Sequence, residues 1–214
     1  DLRAPAYPLV TIDPYASAWS MSDNLYDSPV RHWTGKDFPL IGVVKVDGVS
    51  YRFMGTEELE MNAIVPTSQQ GDWTGQYTTE KPAGDWTSAG YDDSKWKSDR
   101  GAFGTKENEP TAKTQWGTRN IWVRRTVNID RDLTGIPVYL EFSNDDDAVF
   151  YINGVKIHGT GTTCNKNKVV KLPDEALAVL KQGDNIIAAE CINPVGNGLL
   201  DFGLQIPKHL ETVF

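Results

Sequence analysis

The ten residues Asn120–Ile129, NIWVRRTVNI, place Ile121, Val123, Val127 and Ile129 on one side of an extended chain. Arg125 is the one polar residue on that side. Alternation of this kind marks a strand with one buried face, because successive side chains point to opposite faces of a sheet. The pattern recurs downstream. PVYLEFS alternates Val138, Leu140 and Phe142; DAVFYINGVKI breaks at an Asn153-Gly154 turn; NIIAAECIN and LLDFGLQI supply closing strands. Asn-Gly between apolar alternations is a strong hairpin signal, since both residues tolerate the left-handed backbone such a turn requires. LPDEALAVLKQGDN is the exception and reads as a short helix, with Pro173 at its first turn, Asp174 and Glu175 at its positive end, and Gly183 as its stop. Short strands in succession with one minor helix predict an all-β, antiparallel β-sandwich with a jelly-roll or Greek-key path.

Upstream the pattern weakens. A strand is expected near Asn62–Pro66, and GDWTSAGYDDSKWKSDRGAFG reads as turns pinned by Trp86, Tyr91, Trp96 and Phe103. KENEPTAKTQWGT, Lys106–Thr118, reads as an exposed polar loop. Further upstream, LIGVVKVDGVSYRFMG predicts strands Leu40–Val46 and Val49–Met54 around an Asp47-Gly48 turn. Before it, Pro5, Pro8, Pro14 and Pro29 alternate with Tyr7, Tyr15, Trp19, Tyr26 and Trp33. Proline blocks helix and removes ladder donors, so this segment is expected to be an extended arm whose rings need a surface to bury them. The division is therefore an arm and hairpin over residues 1–56, a sandwich over 57–207, and the start of a linker over 208–214.

Of the 214 residues, 39% are hydrophobic and 23% charged, with 19 glycines, 12 prolines and 7 tryptophans, which fits a turn-rich β protein. The net charge of −8 comes without any basic run, which argues against nucleic acid as a partner. No apolar run approaches the roughly 20 residues of a membrane helix, so no membrane insertion is expected. A chain that starts at Asp1 and carries no signal segment reads as a piece of a longer, processed protein. Cys164 and Cys191 are too few for a disulfide framework, and their spacing does not demand pairing.

Arg31, His32, Trp33, Lys36 and Asp37 crowd titratable groups into one run. General acid–base work needs two such groups held rigidly beside a concave pocket, and an arm supplies neither. We read these five as interdomain contacts and assign no catalytic residue. No serine lies in a nucleophile elbow, and Cys164 has no neighbouring histidine to activate it. NDDDAVFYING invites a structural calcium, but its spacing is not that of an EF-hand loop, so no metal ligand or cofactor is assigned. Sugar C–H faces stack on exposed indoles while amides and carboxylates read hydroxyls. Trp73, Tyr77 and Trp116 lie in polar contexts and, with Asn144 and Asp145, are the candidate glycan contacts.

The pieces AGYDDSKWKSDRGAFG, IWVRRTVNI, DDDAVFYINGVKI and LKQGDNIIAAECIN with GLLDFGL resemble the galactose-binding-domain-like sandwich found beside glycoside hydrolases, including family 2 enzymes. Residues 2–55 resemble the N-terminal segment of glutaminase A-type proteins, in which the arm precedes a sandwich and a large helical domain. The sandwich resemblance implies that Trp86, Trp96 and Trp122 occupy framework positions in the core. Together the resemblances imply a non-catalytic accessory domain of an extracytoplasmic hydrolase, partnered by a downstream catalytic domain. Two alternatives stay open: a carbohydrate-binding module of a glycoside hydrolase, or part of a glutaminase active site completed by the downstream domain.

Overall fold

A computed structural model of the chain describes residues 4–38, 40–56, 60–106, 111–194 and 196–208. The remainder of the expected linker, residues 209–214, lies outside them, as does Pro39. Two compact units are resolved, residues 1–59 and residues 60–214.

The first unit contains two hairpins. Strands β1 (Tyr7–Thr11) and β2 (Ser17–Ser20) pair antiparallel, where the sequence predicted only an extended arm. The turn between them is chemical rather than periodic: Asp13 Oδ1 accepts from the backbone N–H groups of Tyr15 and Ala16 at 2.7 and 2.9 Å. An aspartate turn of this kind leaves no alternation to read. Strands β3 (Gly42–Val46) and β4 (Val49–Met54) form the second hairpin. Asp47 and Gly48 both have positive φ, 50° and 87°, as the two-residue turn requires.

The second unit is the sandwich. Its strands are β5 (Met61–Val65), β6 (Thr74–Thr78), β7 (Lys97–Arg100), β8 (Phe103–Gly104), β9 (Thr114–Gln115), β10 (Asn120–Ile129), β11 (Tyr139–Asp145), β12 (Asp147–Ile152), β13 (Val155–Gly159), β14 (Asn165–Lys171), β15 (Gly183–Ile192) and β16 (Leu199–Pro207). The expected helix shrinks to one turn, α1 (Asp174–Leu177). One sheet runs β13-β12-β15-β10-β6-β7; the other runs β14-β11-β16-β8-β9, with β5 also on β16. All these pairings are antiparallel except β8 with β9, which is parallel. The fold class expected from the sequence is therefore observed.

Between the sheets, the inward residues of β10, β12, β15, β11 and β16 form one apolar core. Phe142 and Phe150 lie 4.9 Å apart, Phe150 and Phe202 5.9 Å, and Phe202 and Trp73 5.2 Å, so rings cross from sheet to sheet. Aromatic pairs at these distances contribute about 0.5–1.5 kcal/mol each beyond the area they bury. Close approach also explains Gly203, where a Cβ would stand 2.3 Å from the Val65 carbonyl oxygen at the point where β5 meets β16.

Candidate functional site

One end of the sandwich gathers the polar loops. Strand β11 ends at Asp145 and β12 begins at Asp147, so Asp146 alone carries the chain from one sheet to the other. The loop joining β13 to β14, residues 160–164, comes back to the same place. Asn144, 1% exposed, staples the two together. Its Nδ2 donates to the Asp146 carbonyl, to Thr160 Oγ1 at 3.2 Å and to the Thr163 carbonyl at 2.9 Å; its Oδ1 accepts from Asn165 Nδ2 at 2.9 Å. The Cys164 thiol then donates to Asp145 Oδ1 at 2.6 Å. Asp145, Asp146 and Cys164 thus bring three potential ligand atoms within 4.8 Å of one another.

The electrostatics follow from that crowding. The hydrogen bond to Asp145 and then burial push the Cys164 thiol up to about 11, so at neutral pH it is a protonated donor. Burial, followed by the adjoining Asp145, raises the Asp146 carboxyl. Burial pushes Cys191 up to about 12. Both cysteines are free thiols. A low-pKa nucleophile is the opposite of this arrangement. The donor set is also mixed, two carboxylates and a thiol, whereas a calcium cage takes about six to eight oxygens.

The aromatic residues change places relative to expectation. Trp73 and Trp116, expected as exposed platforms, are 5% and 2% exposed and belong to the core. Trp73 is wedged against Phe103 and Phe202, with its Nε1–H on Asp201 at 3.0 Å. Its bulk is accommodated by Gly101, where a Cβ would fall 2.0 Å from the indole. Trp116 Nε1 donates to the Thr118 carbonyl, and Gly198 leaves room for its ring. Tyr77 is half-buried with its ring 5.1 Å from Phe103. Polar neighbours in sequence misled because these rings are buried by partners far along the chain.

Trp86 and Trp96, expected in the core, are half-buried, as Tyr77 is. Their rings lie 6.3 Å apart at 32°, with Tyr91 edge-on to Trp96 and Tyr151 edge-on to Trp86. This cluster lies over the outer face of the β10 sheet, because the same loop supplies the partners of buried Arg124: Asp93 at 2.7 Å, the Ser88 carbonyl at 2.9 Å, and the Tyr91 ring. Trp122, expected in the core, is buried on this face with its Nε1 on Glu190. Asn144 and Asp145, neighbours in sequence, share the loop network, while Trp73 and Trp116 belong to the core and Tyr77 packs against it.

In the first unit, His32 and Asp37 are not an acid–base pair. Asp37 forms an exposed ion pair with Arg31 at 3.3 Å. His32 Nε2 meets the Pro14 carbonyl at 2.9 Å, so that nitrogen carries the proton, and Nδ1 accepts from Thr34 Oγ1 at 2.8 Å. Trp33 Nε1 also donates to Pro14 O, while the Lys36 carbonyl accepts from His32 N. Pro14 cannot be recognised as their partner from sequence, because it lies 18 residues from His32 and 19 from Trp33.

A family model described as "Domain of unknown function (DUF4964)" matches residues 1–66. No curated protein matches the sequence. Among solved structures, β-glucuronidase 2 of Bacteroides uniformis superposes with a TM-score of 0.50 at 16% identity, covering 70% of this chain and 18% of that one. A β-glucuronidase of Ruminococcus gnavus gives 0.45 at 14% identity, over 72% of this chain and 30% of that one. A β-glycosidase of Bacteroides vulgatus gives 0.43 at 17%, over 68% and 20%. The first of these establishes a shared sandwich fold. The glutaminase part of the sequence resemblance finds no support in these comparisons.

Proposed function

We propose that this chain is a non-catalytic accessory domain of a larger extracytoplasmic glycoside hydrolase, linked to a catalytic domain. The supporting observation is the proportion of the fold match, since a sandwich that accounts for 70% of this chain accounts for 18% of a β-glucuronidase. The site chemistry is consistent with that role. Cys164 is held protonated, His32 and Asp37 face different partners, and the ring-rich core uses Trp73 and Trp116 as packing. The hairpin of the first unit leaves Val43, Val44, Tyr51 and Phe53 exposed. Consecutive residues in a strand face opposite ways, so both faces of this hairpin are apolar and suited to covering by a partner domain.

The test compares the 214-residue chain with the full protein encoded by its gene, using aryl glycosides and glutamine. Glycoside turnover by the full protein and none by the chain is the expected result. Turnover of either substrate by the chain alone overturns the accessory role, and glutamine turnover by the full protein overturns the glycosidase assignment. Glycan contact is a second reading, favoured by the half-buried Trp86–Trp96 pair, whose rings lie 6.3 Å apart. It predicts oligosaccharide binding that is lost in Trp96→Ala.

A further inference from the structure

Two consecutive arginines leave β10 on opposite faces, both buried, Arg124 at 2% and Arg125 at 5% exposure. Arg124 has its carboxylate, Asp93, at 2.7 Å. Arg125 has none. Its Nη1 donates to the carbonyls of Pro66 at 2.8 Å and Phe202 at 2.9 Å, and its guanidinium lies 4.5 Å from the centre of the Trp73 ring. Nε and Nη2 make no hydrogen bond within the described protein. They are not sealed either: the fully buried side-chain polar atoms without a partner among the described residues are Gln76 Oε1, Asn120 Oδ1, His158 Nε2 and Asn193 Oδ1. The free edge of the guanidinium therefore looks into the groove that Arg125 lines.

That groove exists because β6 leaves β10 early. Their pairing covers only Trp122–Arg124, while β10 continues to Ile129 with β15 on its other side. The gap faces β5 and has a volume of about 310 Å³; Ile64, Val65, Pro66, Trp73 and Val127 line it together with the polar Asp72, Thr74, Thr126 and Asn128. We propose that this groove binds a compact monocarboxylate, with Arg125 Nε–H and Nη2–H donating side-on to its two oxygens and Ile64, Pro66 and Trp73 packing against its body. A planar carboxylate matches two parallel donors of one guanidinium. A dianion such as phosphate is disfavoured, because Asp201 lies close enough to act on Arg125 and Asp72 stands on the rim, paired with Arg100 at 2.8 Å. Burial pushes Arg125 down to about 10, which leaves it cationic at neutral pH. Arg125 feels the charge of Asp201 but has only carbonyls as hydrogen-bond acceptors, and a bound carboxylate adds the charge-assisted pair it lacks.

The carboxylate's source is either a simple organic acid or an acidic sugar, and the experiment separates them. Propionate, glucuronate and neutral glucose are titrated into the ¹⁵N-labelled chain while the Trp73 indole N–H is followed by NMR. Saturable millimolar binding of one or both acids, but not glucose, is expected. Affinity should fall about tenfold or more in Thr126→Tyr, which narrows the exposed rim without touching Arg125, and be lost in Arg125→Gln. Circular dichroism melts of each variant separate lost binding from lost folding. No saturable shift with either acid up to about 100 mM, equal response to glucose, or unchanged affinity in a folded Thr126→Tyr overturns the proposal. Propionate binding alone assigns a simple acid; stronger glucuronate binding assigns a sugar acid.

Discussion

Substituting Asp201 tests how the two sheets are tied together. Asp201 is 1% exposed and accepts from three donors: Ser68 N–H, bifurcated between its two oxygens at 3.1 and 3.0 Å, Ser68 Oγ at 2.6 Å, and Trp73 Nε1 at 3.0 Å. It is also the charge that acts on Arg125. In Asp201→Asn the amide NH₂ turns toward Ser68 Oγ, whose hydroxyl rotates to accept, and the remaining oxygen keeps Trp73. What is lost is a charge-assisted bond and the support of Arg125, a cost of about 1–3 kcal/mol. Asp201→Ala instead strands the Trp73 and Ser68 donors and removes the charge that acts on Arg125 from a distance, about 3–5 kcal/mol. For a domain of this size that lowers Tm by roughly 6–20 °C. Urea unfolding measures both, with the denaturant slope checked for constancy. In an Arg125→Gln background the Asn cost should shrink by about 1 kcal/mol. A cost for Asp201→Ala below about 1 kcal/mol refutes the network. Equal Asn costs in the two backgrounds refute its coupling to Arg125.

Other consequences are separate. With its thiol pushed up to about 11, Cys164 should react with iodoacetamide at pH 8 roughly 100-fold more slowly than an ordinary thiol, and Asp145→Asn should restore much of that rate; stopped-flow labelling checks it. Gly203→Ala should cost about 2 kcal/mol or more in urea unfolding, because the clashing atom is a backbone carbonyl that cannot rotate away. Burial, aided by Lys168 and Lys156, lowers the His158 pKa below 6.5. The folded state therefore favours neutral His158, and its contribution is present above pH 6.5 and lost as pH falls through the lowered value. His158→Phe should flatten that part of the stability-versus-pH curve, since the ring already packs 5.3 Å from Phe142.

How far the site was legible depended on distance along the chain. The two-residue turns at Asp47-Gly48 and Asn153-Gly154 were readable because a positive φ is demanded by adjacent residues. The β1–β2 hairpin was not, since its turn rests on Asp13 side-chain bonds and its strands contain Pro8. The helix shortened to Asp174–Leu177 because intrinsic signals set where it starts, while packing of Ala176 and Leu177 on the core sets how much of it persists. Trp73 was expected at the surface and is buried, because a polar neighbourhood in sequence says nothing about which distant element covers a ring.

From the sequence alone came the alternation of β10, β11, β12, β15 and β16, and hence an antiparallel sandwich with Arg125 pointing inward. Period-two patterning decides that much, because it is a property of each strand by itself. Which arginine received a carboxylate, which tryptophans were buried and where β6 left β10 were decided only by the tertiary structure. Those outcomes depend on atoms as far apart as Trp73 and Asp201 or Arg124 and Asp93 meeting in space. No local pattern encodes a meeting of that kind.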